Sequence, residues 1–275
     1  MDSKLFVAYA LSLFALSVSA EDRLFPTSIL NKGEVDIELS VTHSTIDTKI
    51  SSNGNTGTYS YRATRESAAI RYGIGGYWHV GASLPYLSDY SAKFDYNNPP
   101  AHYENNRLEG SQNPNLWVKY GFINDKAKPL SLSGEILVSP NTTGKTSSAY
   151  VGVVSAGWKS DESLKFYAIY SGVVRNDSNS ADSNGIAIGA YKSINSSVTL
   201  IPHASYTRYQ STDSFSSDSN HSLGLSAHIQ VANNTYLNPD ITFFRNSSAH
   251  TNAGTLYYDS SDTGKSIGIS IYHLF

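Results

Sequence analysis

Apolar and polar residues alternate with a period of two along most of the chain. The pattern is cleanest at 35–41, where Val35, Ile37, Leu39 and Val41 are apolar and the residues between them are polar. Because successive side chains of a β-strand point to opposite faces, this alternation predicts a strand with one apolar and one polar face. Comparable segments recur to the C-terminus, and together they predict twelve strands.

The connections between these segments alternate strictly between short and long. The short ones are 75–76, 125–128, 160–163, 193–195 and 232–234. The long ones are 51–57, 88–112, 141–148, 176–184, 211–220 and 246–264. Barrels of the bacterial outer membrane have short periplasmic turns and longer external loops. The sequence therefore predicts an all-β fold, a closed up-and-down antiparallel transmembrane β-barrel of about 12 strands with both termini periplasmic.

A barrel is the form that lipid imposes on such strands. Every backbone N–H and C=O in the hydrocarbon region must be paired within the protein, so the sheet has to close on itself. The apolar face of each strand then meets lipid, and the polar face lines the lumen. Six aromatic residues lie toward strand ends, as interfacial girdles require: Trp78, Tyr86, Phe122, Trp158, Phe166 and Phe243.

The N-terminus predicts export. Lys4 precedes an apolar run at 5–18, and Val18, Ser19 and Ala20 form a small-residue cleavage site. We expect residues 1–20 to be a cleaved signal peptide, 21–33 to be an N-terminal segment and 34–275 to be the barrel. The N-terminal segment can either hang in the periplasm or fold inward as a plug, and the sequence favours neither.

Composition narrows the possible partners. The chain has no cysteine, which excludes disulfides and thiolate metal sites, and its net charge of −3 gives no reason to expect nucleic acid. The terminal Phe275 resembles the C-terminal signature by which outer-membrane proteins are recognised. We therefore expect the partners to be outer-membrane lipid, the barrel-assembly machinery through Phe275, and a small-molecule solute.

Four segments of the chain resemble a family of bacterial outer-membrane channel proteins named for the meta-pathway of phenol degradation. They are 23–27 with its Arg23 and Pro-Thr pair, 32–39 (KGEVDIEL), 70–86 with IRYGI and VGASLPY, and 113–120 (NPNLWVKY). An Asp common in the last motif is replaced here by Asn113 or Asn115. The resemblance covers most of the mature chain, and it implies transport of small solutes, hydrophobic or aromatic ones among them.

Polar and charged residues fall on the predicted inner face of several strands. The candidate lumen-lining residues are Arg71, His79, Lys119, Glu135, Lys165, Arg175, His228 and Asp240. They can form a charge-lined constriction that selects solutes. Equally, they can form a salt-bridge network that braces a narrow barrel. Both signs of charge are present, so no strong preference for anions or cations follows.

A channel for small solutes is the leading functional hypothesis. The alternative is a non-conducting structural or surface-binding barrel that uses its long external loops. A membrane-embedded hydrolase is less favoured, because the segment 152–157 lacks the Gly-x-Ser-x-Gly spacing of a nucleophile elbow. No cofactor is expected, and the Asp/Asn-rich stretch at 177–185 has Ile188 where a calcium loop would need its twelfth-position Glu.

The predicted closure has a direct test in gel mobility. A closed barrel has no free edge from which detergent can unzip it, so it resists unfolding until it is boiled. Refolded protein should therefore migrate differently on a detergent gel before and after boiling. Equal mobility of the two samples would count against a closed barrel.

Overall fold

The computed structural model describes residues 25–275 except 53–54, 98–99, 106–107, 126, 178–179, 213–215, 248, 251–256 and 259–262. The predicted signal peptide lies outside the described residues. The strands are β1 (Val35–Ser52), β2 (Asn55–Gly75), β3 (Trp78–Asn97), β4 (Pro100–Asn105), β5 (Gly110–Ser111), β6 (Asn115–Ile123), β7 (Leu130–Ser139), β8 (Ala149–Asp161), β9 (Leu164–Arg175), β10 (Ser183–Ser193), β11 (Val198–Tyr209), β12 (Asp218–Ala232), β13 (Thr235–Asn246), β14 (Ala249–His250), β15 (Tyr257–Tyr258) and β16 (Gly264–Leu274). No helix in this part of the chain is long and apolar enough to cross a membrane.

Twelve of the strands described form a closed antiparallel barrel. Going round the barrel, the order is β1, β2, β3, β6, β7, β8, β9, β10, β11, β12, β13 and β16. The last strand pairs with the first from Asp36↔Leu274 to Thr45↔Lys265, which closes the sheet. The short strands β4, β5, β14 and β15 extend it at the end that carries the long connections. The predicted twelve-stranded barrel is confirmed.

The outer face of the barrel is apolar. Ile136 is 62% exposed and Leu223 is 66% exposed, and comparable side chains follow one another around the wall. Soluble monomers rarely expose apolar patches beyond a few hundred Å², so this surface is suited to lipid rather than water. Ile70 and Ile269 also lie exposed on this face.

Aromatic side chains mark both borders of the apolar belt. All six residues predicted for the girdles are exposed on the outer face: Trp78, Tyr86, Phe122, Trp158, Phe166 and Phe243. On β8 the belt runs from Tyr150 to Trp158, both exposed. Eight residue steps of about 3.3 Å make about 26 Å along the strand, which suits a tilted crossing of the hydrocarbon layer.

Two of the predicted long loops are wrong. Most of 51–57 and 88–112 belongs to strands, because β1 and β2 continue through the first region, while β3, β4 and β5 occupy much of the second. Their Ser-, Asn- and Gly-rich composition indicated loops. Period-two alternation nevertheless persists there, and inward apolar side chains give the extended strands a core of their own.

Beyond the membrane belt the polarity of the two faces is reversed. On β2, Ile70 and Tyr72 point outward within the belt, whereas the outward residues of the extension are polar, Thr58 and Arg62 among them. Inward-facing apolar residues form what we call the mouth cluster: Ile46, Ile50, Tyr59, Tyr61, Ala63, Leu87, Tyr90, Ala92, Leu108 and Phe244. The cluster packs one side of the loop end of the barrel as a soluble protein packs its core.

The border between belt and extension predicts different costs for an arginine introduced on the outer face on either side of it. Ile136→Arg places a charge on the outer face within the belt and should cost about 2–4 kcal/mol of unfolding free energy. Thr58→Arg, on the outer face of the extension, should be nearly neutral because it meets water. Urea titration in lipid vesicles measures both. Equal destabilisation of the two variants would contradict the placement of the belt.

Candidate solute site in the barrel lumen

Residues 25–31, which we call the inner segment, lie inside the turn end of the barrel. The carbonyl oxygen of Pro26 accepts a hydrogen bond from Lys119 Nζ at 2.6 Å. The hydroxyls of Thr27 and Ser131 lie 2.7 Å apart. Residues 25–31 of the predicted 21–33 segment thus take the inward one of the two positions that the sequence left open.

Two wall glycines make room for the inner segment. A Cβ at Gly73 would lie 1.9 Å from the carbonyl oxygen of Asn31, and a Cβ at Gly157 would lie 2.1 Å from Cε1 of Phe25. Any larger residue at either position would have to displace the segment. The barrel wall is therefore fitted to the chain that it encloses.

An ion pair lies beside the inner segment at the turn end. Arg71 Nε donates to Asp36 Oδ1 at 2.7 Å, and the Tyr272 hydroxyl donates to Asp36 Oδ2, also at 2.7 Å. The Arg71 guanidinium carbon lies 5.3 Å from the centre of the Tyr272 ring. Asp36 is only 1% exposed, so its charge is paired with that of Arg71, and the Tyr272 hydroxyl satisfies its second oxygen. This part of the lumen agrees with the bracing hypothesis.

A cavity of about 440 Å³ occupies the lumen between the inner segment and Phe244 of the mouth cluster. Seven of the eight candidate residues line it: Arg71, His79, Lys119, Glu135, Arg175, His228 and Asp240. Lys165 is not part of this lining and lies on β9 next to the turn that joins it to β8. His79 also meets the inner segment, since its Nδ1 accepts a hydrogen bond from the Leu30 N–H at 3.4 Å.

One wall of the cavity is largely apolar, although Ser155 and Arg175 also lie on it. It is formed by the inward faces of β8, β9 and β10: Ala149, Val151, Val153, Ile169, Val173 and Ala187. Sequence reasoning missed this wall because it assigned the apolar residues to lipid and the polar ones to the lumen. The signal was present as a loss of alternation, since Val151, Val153 and Val154 put apolar residues on both faces of β8.

The facing wall carries hydroxyl groups. In the ring of twelve strands, β16, β1 and β2 lie six places from β8, β9 and β10, and therefore across the lumen from them. Their cavity-lining hydroxyl side chains are Ser40, Thr42, Ser44, Ser67, Ser266 and Ser270. The lumen is thus two-sided, with mainly apolar side chains on one wall and hydroxyl groups on the other, where Glu38, Arg65 and Arg71 also line the cavity.

A serine, a histidine and an aspartate meet on the inner faces of β11, β12 and β13. Ser226 Oγ donates to Asp240 Oδ2 at 2.7 Å, and His203 Nε2 lies 3.1 Å from the same oxygen. His203 Nε2 is also 3.3 Å from Ser226 Oγ. In a hydrolytic triad the serine and the aspartate bond to different nitrogens of the histidine ring, whereas here both lie against Nε2 of His203. The arrangement is that of a hydrogen-bonded polar cluster rather than a nucleophile and its base.

The part of the chain that the structure describes contains no group of three or more His, Asp or Glu side chains placed to hold an ion. The lumen offers a cavity with a hydroxyl-rich wall, a largely apolar wall and charged side chains of both signs. Such a site can bind or pass a small molecule.

Comparison with solved structures shows the same fold. The barrel is similar to an outer-membrane channel from Pseudomonas putida F1 (TM-score 0.58, 10% identity, 91% of this chain and 98% of that one). It is also similar to the translocator domain of the autotransporter NalP from Neisseria meningitidis (TM-score 0.53, 10% identity, 98% and 96%). A third similar structure is the KdgM porin in complex with disordered oligogalacturonate (TM-score 0.50, 8% identity, 85% and 97%). No protein-family model and no curated protein sequence matches the chain.

The fold and the lumen define the class: a transmembrane β-barrel of the architecture found among outer-membrane channels and translocators. At sequence identities near 10%, the similarity shows a shared fold and does not show a shared function. What passes through this barrel must therefore be argued from its own lumen.

The contact between Lys119 and Pro26 predicts how firmly the inner segment is held. A hydrogen bond from a charged donor contributes about 1.5–3 kcal/mol, so Lys119→Met should loosen the segment about tenfold or more. Because the chain has no cysteine, Ser28→Cys gives a single reactive site whose rate of maleimide labelling reports exposure. Arg175→Met is the matched control, since Arg175 lines the same cavity but bonds to Ala181 instead. Equal labelling rates in both backgrounds would show that Lys119 does not anchor the segment.

Proposed function

We propose that this chain is a bacterial outer-membrane channel through which small solutes diffuse passively. The observation that carries the proposal is the two-sided cavity inside a closed, lipid-facing barrel. A barrel that served only as a scaffold would have no need of hydrocarbon and hydroxyl walls facing each other across open space. The similar barrel from Pseudomonas putida F1, itself described as an outer-membrane channel, supports this choice.

The two walls favour solutes that have both an apolar and a polar side. Covering about 60 Å² of apolar surface against Val151, Ile169 and their neighbours would contribute about 1.5 kcal/mol. Hydroxyl groups on the facing wall can replace some of the water lost by the polar side of the solute. A binding free energy of this size is small enough for the solute to be released again, and passage through a channel requires such release.

Membership of the meta-pathway family of channel proteins is the finer part of the proposal. It is supported by the resemblance of 32–39, 70–86 and 113–120, and by a lumen wall able to receive hydrophobic or aromatic groups. The charged residues near the turn end, Arg71 and Lys119 among them, are in this view anchors for the wall and the inner segment rather than a selectivity filter for ions.

A non-conducting barrel is the second candidate, and one observation favours it. The inner segment fills the turn end, and the mouth cluster packs one side of the loop end, so the cavity is narrowed at both ends. In that case the extended strands β1, β2 and β3 would present a binding surface outside the membrane. Conductance separates the two candidates.

Deleting residues 25–31 should open the turn end. In planar bilayers we expect the deletion variant to show a single-channel conductance several-fold above that of the full chain, because the obstruction at the turn end is removed. The non-conducting candidate predicts no conductance in either protein, together with a loss of heat resistance because the deletion removes bracing contacts. Gel mobility before and after boiling, measured on the same samples, reports that second quantity.

A further inference from the structure

We propose that the pocket around Phe25 is a ring-binding subsite of the channel, which the inner segment covers by placing its own phenyl ring there. A solute ring and Phe25 would then compete for one place, so that the solute helps to release the segment that blocks its path. This inference rests on the proposed function, because a solute must enter the lumen to reach the pocket.

Three rings meet in this pocket with their edges toward one another. The Phe25 ring centre lies 5.0 Å from that of Tyr191, at an interplanar angle of 69°. It lies 6.2 Å from that of Tyr167, at 90°. The two tyrosine rings are 5.6 Å apart at 67°. Edge-to-face contacts at these distances are favourable for aromatic groups specifically, so the pocket is shaped for a planar ring.

The pocket is recessed into the wall of the barrel at Gly157. A Cβ at this position would lie 2.1 Å from Phe25 Cε1 and 2.9 Å from its Cζ. The phenyl ring is thus inserted where the wall has no side chain, and Phe25 is only 8% exposed. A methyl group at residue 157 would fill the recess.

Unpaired polar atoms border the ring pocket on one side. His228 packs against Tyr191, with ring centres 5.6 Å apart, and is 3% exposed. Within the described part of the chain, neither of its ring nitrogens has a hydrogen-bond partner. Asn238 Oδ1 is likewise unpaired, although the amide nitrogen of Asn238 donates to Ser270 Oγ at 3.1 Å. The strand register places His228 opposite Asn238, and both line the cavity.

These atoms indicate the chemistry of the ligand. Buried polar groups are usually paired, and a neutral substituent on a bound ring that can both donate and accept would pair with the histidine and the amide oxygen. Phe25 supplies the ring but carries no such group, so it satisfies the apolar half of the pocket and leaves the polar half unpaired. The ligand class is therefore an uncharged aromatic ring bearing one hydroxyl or comparable group.

The inner segment is held in a way that permits exchange. Its polar contacts with the wall include hydrogen bonds of Pro26, Thr27 and Leu30 with side chains, each of which water can replace when the segment withdraws. Phe25 is its aromatic anchor. Displacing that ring therefore removes the main apolar contact between the segment and the β8–β10 wall.

The experiment uses the full chain with 4-fluorophenylalanine at position 25 and benzyl alcohol as the probe. On titration, the fluorine NMR signal should move from a buried to a solvent-exposed position, and cyclohexylmethanol at equal concentration should produce at most a tenth of the effect. Separately, Phe25→Ala should raise the affinity for benzyl alcohol at least tenfold. Adding Gly157→Ala to that variant should abolish the gain by filling the recess.

Two further measurements distinguish binding at this subsite from simple filling of a cavity, and the subsite proposal from the channel proposal. Phe244→Ala removes another buried phenyl ring that lines the lumen, far from His228, and should not give preferential binding of benzyl alcohol over toluene. If the variant lacking 25–31 conducts in planar bilayers but benzyl alcohol leaves the fluorine signal of the full chain unchanged, the subsite is wrong and the channel stands. If that variant does not conduct and the signal does not shift, both proposals are overturned.

Discussion

Pairing of the first strand with the last is the interaction on which the rest of the molecule depends. Without the ladder between β1 and β16, two strands would present unpaired N–H and C=O groups to hydrocarbon, at a cost of several kcal/mol for each group. Closure fixes which face of every strand meets lipid. It also encloses a lumen, which side chains and the inner segment can fill or which can stay open as a cavity. The inner segment fills part of it, and the two-sided cavity is the part left for use.

The surrounding medium decides the polarity of each face. In the belt, lipid favours apolar residues outside, while the lumen accepts charges such as Asp36 and Arg71 because they pair with each other. Above the belt, water lies outside, so the same strands carry apolar residues inward and form the mouth cluster. One sheet with continuous register thus serves as a membrane wall along one part of its length and as a packed soluble structure along the other.

Sequence alternation predicted the barrel well because lipid enforces it residue by residue, as at Val35 to Val41. The prediction failed at positions whose polarity is set by something other than lipid. Extended strands at 51–57 were interpreted as a loop because polar outward residues there face water rather than a lumen. The apolar wall at Val151 and Val153 was missed because a lumen was assumed to be polar. The position of the inner segment depends on long-range contacts such as Lys119 with Pro26, which no local pattern encodes.

A spin-label scan along β2 tests most directly whether the barrel is closed and its extended strands stand in water. Single cysteines placed one at a time from 56 to 74 in this cysteine-free chain would report access to oxygen, which concentrates in lipid, and to a water-soluble nickel complex. Outward positions should be even-numbered throughout. Those from 68 to 74 should favour oxygen, and those from 56 to 62 should favour the nickel complex. A scan without period two, or one in which the outward positions favour oxygen along the whole strand, would contradict a closed barrel whose upper strands stand in water.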